Sequence, residues 1–118
     1  MKSLTQFLNE ALISKHSNYS YHPETRDELK ELVNKLIKER GLEADLNDID
    51  TSTIIDMSSI FAYSQFDGDI SNWDVSKVEN ISSMFRDSAF TGKNGDISNW
   101  DVSNVKYMSY VVAYSKFT

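Results

Sequence analysis

A chain of 118 residues with 40% hydrophobic and 12% aromatic content has the makings of one globular domain, and its lack of cysteine excludes disulfides, a thiolate nucleophile and any Cys-containing zinc site. Its net charge of −6 is lopsided: residues 1–41 carry seven Lys/Arg against six Asp/Glu, and residues 42–118 carry five against twelve. An acidic surface repels phosphate backbones, which argues against nucleic acid as a partner, and no apolar run is long enough to cross a bilayer.

Residues 1–14 form the first element. Leu4, Phe7, Leu8, Ala11 and Leu12 fall at helical spacing behind Ser3, with Gln6 in a capping-box relation to it, which predicts a short amphipathic peptide. Gln6, Asn9 and Glu10 break the apolar run that a secretory signal needs, and no lipobox cysteine follows. The stretch MKSLTQFLNEA resembles the capsid-targeting peptides of T-even phage internal head proteins, which follow M-K-T-Y-x-E-F-I-x-E and are cut after Glu at an aliphatic-x-Glu site. The resemblance implies processing between Glu10 and Ala11, after Leu8-Asn9, and a chain carried inside a capsid. Leu4 in place of the aromatic and Gln6 in place of Glu depart from the pattern.

A Ser/Asn/Tyr-rich linker follows over residues 15–22, and its His16 and His22 read as solvated loop residues. The sequon Asn18-Tyr19-Ser20 matters only on a secretory route, as does Asn80-Ile81-Ser82 further on. Residues 23–41 are the clearest helix. Leu29, Leu32, Val33, Leu36 and Ile37 make one apolar stripe, Thr25 and Glu28 a capping box, and Gly41 a stop. Its expected role is to cover the first of the repeats that follow.

Residues 42–118 contain one sentence written three times, in copies spanning 42–65, 66–89 and 90–118. GDISNWDVS at 68–76 returns letter for letter at 95–103, and the 27-residue offset between them exceeds the first 24-residue offset by the insertion Thr91-Gly92-Lys93. Apolar residues recur in register, as in Ile70, Trp73, Val75, Val78, Ile81, Met84 and Phe85. Ile70-x-x-Trp73-x-Val75 has the spacing of a leucine-rich-repeat strand, and Ile81, Met84 and Phe85, behind Ser82 and Ser83 as helix start, suit one helical turn. No copy can bury its apolar side alone. The expected fold class is therefore an α/β solenoid, a leucine-rich-repeat array of three coils with an N-terminal α-helical cap.

The motif G-D-I-S-N-W-D-V-S-x-V-x-N-x-S-x-M-F resembles the BspA-type leucine-rich repeats of bacterial surface proteins, over residues 42–118. The resemblance implies a curved solenoid for protein binding or adhesion. The chain departs from the usual pattern in having three copies and no secretion signal, and in ending its third copy with Val111-Val112 instead of Met-Phe.

The chemistry-bearing residues are weighed against this frame. The Trp-Asp pairs at 73–74 and 100–101 repeat too closely for a WD propeller. Asp45, Asp69 and Asp96 fall in register, as do Asp50, Asp74 and Asp101, yet no copy carries an EF-hand loop, so these aspartates are read as turn formers rather than a metal site. No serine has a positioned base and no phosphate loop exists, so neither an active site nor a cofactor is expected. The expected function is a non-enzymatic protein-binding module, packaged in a phage virion or resident in the host cytoplasm. The alternative is a secreted or cell-surface adhesin fragment. Asn72, Asp74, Ser76, Asn99, Asp101 and Ser103, which flank the inward positions, are the candidate partner-binding residues of a concave face; their other reading is that they only complete the hydrogen bonding of tight turns. Val111, Val112, Tyr114 and Phe117 end the array with no cap, which points to self-association there.

Overall fold

In the computed structural model, residues 3–6 and 19–117 are described. At the amino terminus the Ser3–Gln6 relation is reciprocal: the Ser3 N–H donates to Gln6 Oε1 (2.9 Å) and the Gln6 N–H to Ser3 Oγ (3.1 Å). The main helix, α1, spans Arg26–Arg40. It starts later than residue 23 because Thr25 is the cap: its backbone is extended and its side chain accepts the Glu28 N–H. Glu28 reaches back to the Glu24 N–H (2.8 Å), and Gly41, at φ 98°, ends the helix by donating its N–H to the Ile37 carbonyl. Leu29, Val33 and Leu36 are wholly buried, each side chain worth roughly 1.5–3 kcal/mol against exposure.

The α/β solenoid expectation is overturned. Residues 42–117 hold no sheet and no α-helix; the chain is a compact body of turns beside α1, with only isolated parallel bridges, Tyr21 to Ile49, Asp45 to Asp69, Asp56 to Asn80 and Asn80 to Tyr107. Two local causes account for this. First, Asp45, Asp50, Asp56, Asp69, Asp74, Asn80, Asp96 and Asp101 each accept the N–H two residues ahead, at 2.8–3.0 Å. Such turns bend the backbone every five or six residues and leave no room for a strand. Second, the expected helical turn at Ile81, Met84 and Phe85 is broken into three-residue steps, with Met84, Arg86 and Ser88 donating to the carbonyls of Ile81, Ser83 and Phe85. Ser83 has φ 58° and Asp87 φ 51°, so Ser83 is a left-handed turn residue and not a helix start. The same conformation returns in register at Ser59 and Tyr63 and at Tyr110 and Tyr114.

That backbone turns its amides outward from the copy. The N–H groups of Met57, Ser59, Phe61 and Tyr63 donate to the carbonyls of Asn80, Ser82, Met84 and Arg86, at 2.8–3.0 Å. Those of Ile81, Ser83, Phe85 and Asp87 donate to Tyr107, Ser109, Val111 and Ala113. Along this edge these N–H groups point to the next copy and the carbonyls that accept them point to the previous one. The first copy has no previous copy, and α1 supplies its carbonyls with cations: Arg26 Nε donates to Ser58 O (2.6 Å), and Lys30 Nζ to Ile60 O (2.5 Å) and Ser59 O (3.3 Å). Burial, then the neighbouring Arg26, holds the Lys30 ammonium below its ordinary pKa. Arg40 clamps Asp48 through both guanidinium nitrogens at 2.9 Å.

The core runs through all three copies. Phe66, Phe90 and Phe117 stack in one row at 6.3 and 5.8 Å, Phe61 and Phe85 in a second at 5.8 Å, with the rows touching at 4.9 and 4.8 Å. Trp73 Nε1 donates to Leu46 O (2.9 Å) and Trp100 Nε1 to Ile70 O (3.2 Å), so each indole ties its copy to the one before. A Cβ on Gly68 would overlap the Ala44 carbonyl oxygen and the Phe66 ring, which is why the repeated nonapeptide opens on glycine. The inserted Thr91-Gly92-Lys93 loop reaches back across two copies: Thr91 donates to Asp67, and Lys93 Nζ lies 2.9 Å from Glu43.

Candidate functional site

The sequence-predicted surface residues sit in the turns just described. Asp74 Oδ1 accepts the Ser76 N–H (3.0 Å) and hydroxyl (2.6 Å), and Asp101 Oδ1 accepts the Ser103 N–H (3.0 Å). The hydroxyl and N–H of Ser103 hold Asp101 below its ordinary pKa. The Asn72 N–H donates to Asn47 Oδ1 (2.8 Å), and the Ser76 carbonyl accepts from Asn104 Nδ2 (2.6 Å). Asp74 and Ser76 are half-buried, while Asn72, Asn99, Asp101 and Ser103 are exposed. There is no sheet for the six to line. Their turn bonds are the geometry at hand, as for Asp45, Asp69, Asp96 and Asp50.

Among the described residues no group of three or more His, Asp or Glu side chains could hold a metal ion. His22 is not simply solvated: its Nδ1 lies 3.5 Å from Asp50 Oδ2. Glu10, Ala11 and His16 lie outside the described residues.

A different surface stands out, at the far end of the body from α1. In the first two copies most of the in-register apolar positions are buried, but the third copy is more open. Val102, Met108, Tyr110, Val112 and Tyr114 are exposed, by 47% at Val102 and Val112 and 81% at Tyr114. Ile97, Trp100, Val111 and Phe117 are half-buried beneath them. Phe85, Ile97, Trp100, Val102, Val112 and Phe117 line a groove of about 250 Å³ on this face. Arg86 places its guanidinium carbon 5.2 Å from the exposed Tyr110 ring centroid. Exposed apolar side chains gathered around a groove are a feature on which interaction surfaces are built.

The register of the copies could have located part of this face, since Val102 and Val112 are the third-copy counterparts of the buried Val75 and Phe85. The sequence reading named Val111, Val112, Tyr114 and Phe117 but missed Val102, Met108 and Tyr110, which no described residue covers.

Residues 28–118 match the family described as a Mycoplasma protein of unknown function, DUF285, and the chain belongs to that family. No curated protein and no solved structure matches it.

Proposed function

We propose that this DUF285 chain is a non-enzymatic protein-binding module that engages its partner through the open face of the third copy. The observation that carries the reading is the exposed apolar groove around Trp100 and Val112, at the one end of the stack that α1 does not cover. Within this reading, the BspA-like repeat sentence and membership of a family described from Mycoplasma favour a surface or adhesin role. Capsid packaging rests on the first eleven residues alone, and a mature N-terminus at Ala11 would be its mark; a virion digest starting at Met1 would remove it.

The test is site-specific photo-crosslinking in the protein's own cells. A photoreactive phenylalanine at position 112 should give a discrete adduct, and the same group at Lys35, on the exposed side of α1, should not. Equal adducts at both positions, or none at 112, would sink the reading.

A further inference from the structure

The open face carries more than apolar area. Met57, Ser59, Phe61 and Tyr63 in the first copy, and Ile81, Ser83, Phe85 and Asp87 in the second, each donate an N–H to the following copy. Their counterparts in the third copy are Met108, Tyr110, Val112 and Tyr114. Among the described residues nothing accepts from these four amides. All four residues are exposed, and Tyr110 and Tyr114 have the same left-handed φ, 59° and 57°, as Ser83 and Asp87. The backbone that aims the amides outward is therefore already in place. One acceptor accompanies the donors. Ile55 O and Glu79 O take N–H groups from the following copy, and their counterpart, Lys106 O, accepts from no described residue.

An edge of aligned amides is electropositive and demands oxygens. The opposite end shows the complement of this rule, since there the outward carbonyls are met by Arg26 and Lys30. We infer that the third copy is a template for backbone pairing. The row Met108, Tyr110, Val112 and Tyr114, with Lys106 O, receives a segment of a partner polypeptide that runs parallel to it, offers a carbonyl at every second residue and places an apolar side chain in the groove beside Trp100. This is strand-addition recognition, in which main-chain bonds supply affinity and a side-chain pocket supplies selectivity. The inference rests on the open-face reading above and names its occupant. A second copy of this chain fits poorly on hydrogen-bond grounds. Two open faces set donors against donors, and the carbonyl face of a second copy is held by its own α1.

The second copy shows what a fitting segment looks like. Asn80, Ser82, Met84 and Arg86 offer the carbonyls that the first copy receives, and Phe85 stacks on Phe61. The probe is accordingly a synthetic peptide of residues 77–90, KVENISSMFRDSAF, added to the full-length ¹⁵N-labelled chain. In the free, dilute protein the amides of residues 108, 110, 112 and 114 should exchange freely, unlike those of 81, 83, 85 and 87. Saturating peptide should slow the four by about tenfold or more, with shifts at the Val102 and Val112 methyl groups. Methyl shifts without amide protection would overturn the backbone pairing and leave the apolar face a binding surface. Absence of both would overturn the pairing too, while the crosslink at position 112 judges the open-face reading by itself. Protection that arises without peptide and grows with protein concentration would make a second copy the occupant, and so overturn the assignment to a partner segment.

Discussion

Two stretches of this protein are identical in sequence and unlike in situation. In residues 68–76, Ile70, Trp73 and Val75 are buried, with Trp73 and Val75 each 3% exposed. In residues 95–103, Ile97 and Trp100 are half-buried and Val102 is 47% exposed. Both keep the same turns, Asp69 to Ser71 and Asp96 to Ser98, then Asp74 to Ser76 and Asp101 to Ser103. Local backbone geometry is thus written in the nonapeptide, and burial is not. Burial belongs to position in the stack: among the described residues one stretch lies between two neighbours and the other has a neighbour on one side only.

The largest test of that difference is the tryptophan pair. Trp73→Ala should cost about 3–5 kcal/mol in denaturant unfolding, because it opens a cavity and frees the buried Leu46 carbonyl. Trp100→Ala should cost less than half as much, since its site is already half open. Equal losses would break the comparison. Next come the glycines. Gly68→Ala drives a methyl into the Ala44 carbonyl and should destabilise by about 1–3 kcal/mol, whereas Gly95→Ala meets a side chain, the Asp69 carboxylate, which yields only by loosening its bonds from Ser71, and should cost less than Gly68→Ala.

A smaller effect tests the closed end. Arg40 holds the Asp48 carboxyl below its ordinary pKa, against the opposing push of burial. The stability this supplies is present above the unfolded-state pKa of about 4 and is lost as the pH falls through the lower folded-state value. Asp69 adds to the same acid arm: burial pushes it up, but the Ser71 hydroxyl and N–H, with Asn47, bring it below its ordinary value. Asp48→Asn should therefore lower stability at neutral pH by about 1 kcal/mol or less and shrink the loss seen between pH 4 and lower pH in acid titrations. A variant whose acid profile overlays the wild type would remove Asp48 from that account. The smallest effect should ignore stack position. Tyr63 and Tyr114 are exposed and left-handed in φ, so Tyr63→Gly and Tyr114→Gly should each stabilise the fold by about 0.5–1 kcal/mol. Unequal shifts in melting temperature would show that the two ends differ in backbone strain as well as in cover.

Much of the architecture was legible residue by residue. The apolar stripe of α1, its Thr25 cap and Gly41 stop, the register of the three copies and the turn role of the aspartates all follow from short-range patterns. The strand at 70–75 and the helical turn at 81–85 were misread. Alternating and three-four spacings say which side chains face inward, but not which backbone dihedrals bring them there. Here serines and tyrosines take left-handed φ at positions where spacing alone suggests helix. The six polar residues of the nonapeptides drew notice because they repeat, whereas Val102 and Val112 on the open face have buried counterparts in Val75 and Phe85.

What the sequence alone determined, then, is local: the Thr25 cap and Gly41 stop of α1, the turn role of the aspartates, and which residues are apolar in register. Those features rest on bonds between residues two to four apart. The tertiary structure alone decided the direction of the amides, the burial of one nonapeptide and the exposure of its twin. Each of these depends on a neighbour 23 to 27 residues away in the chain, and no described residue takes that place on the third copy's outer face.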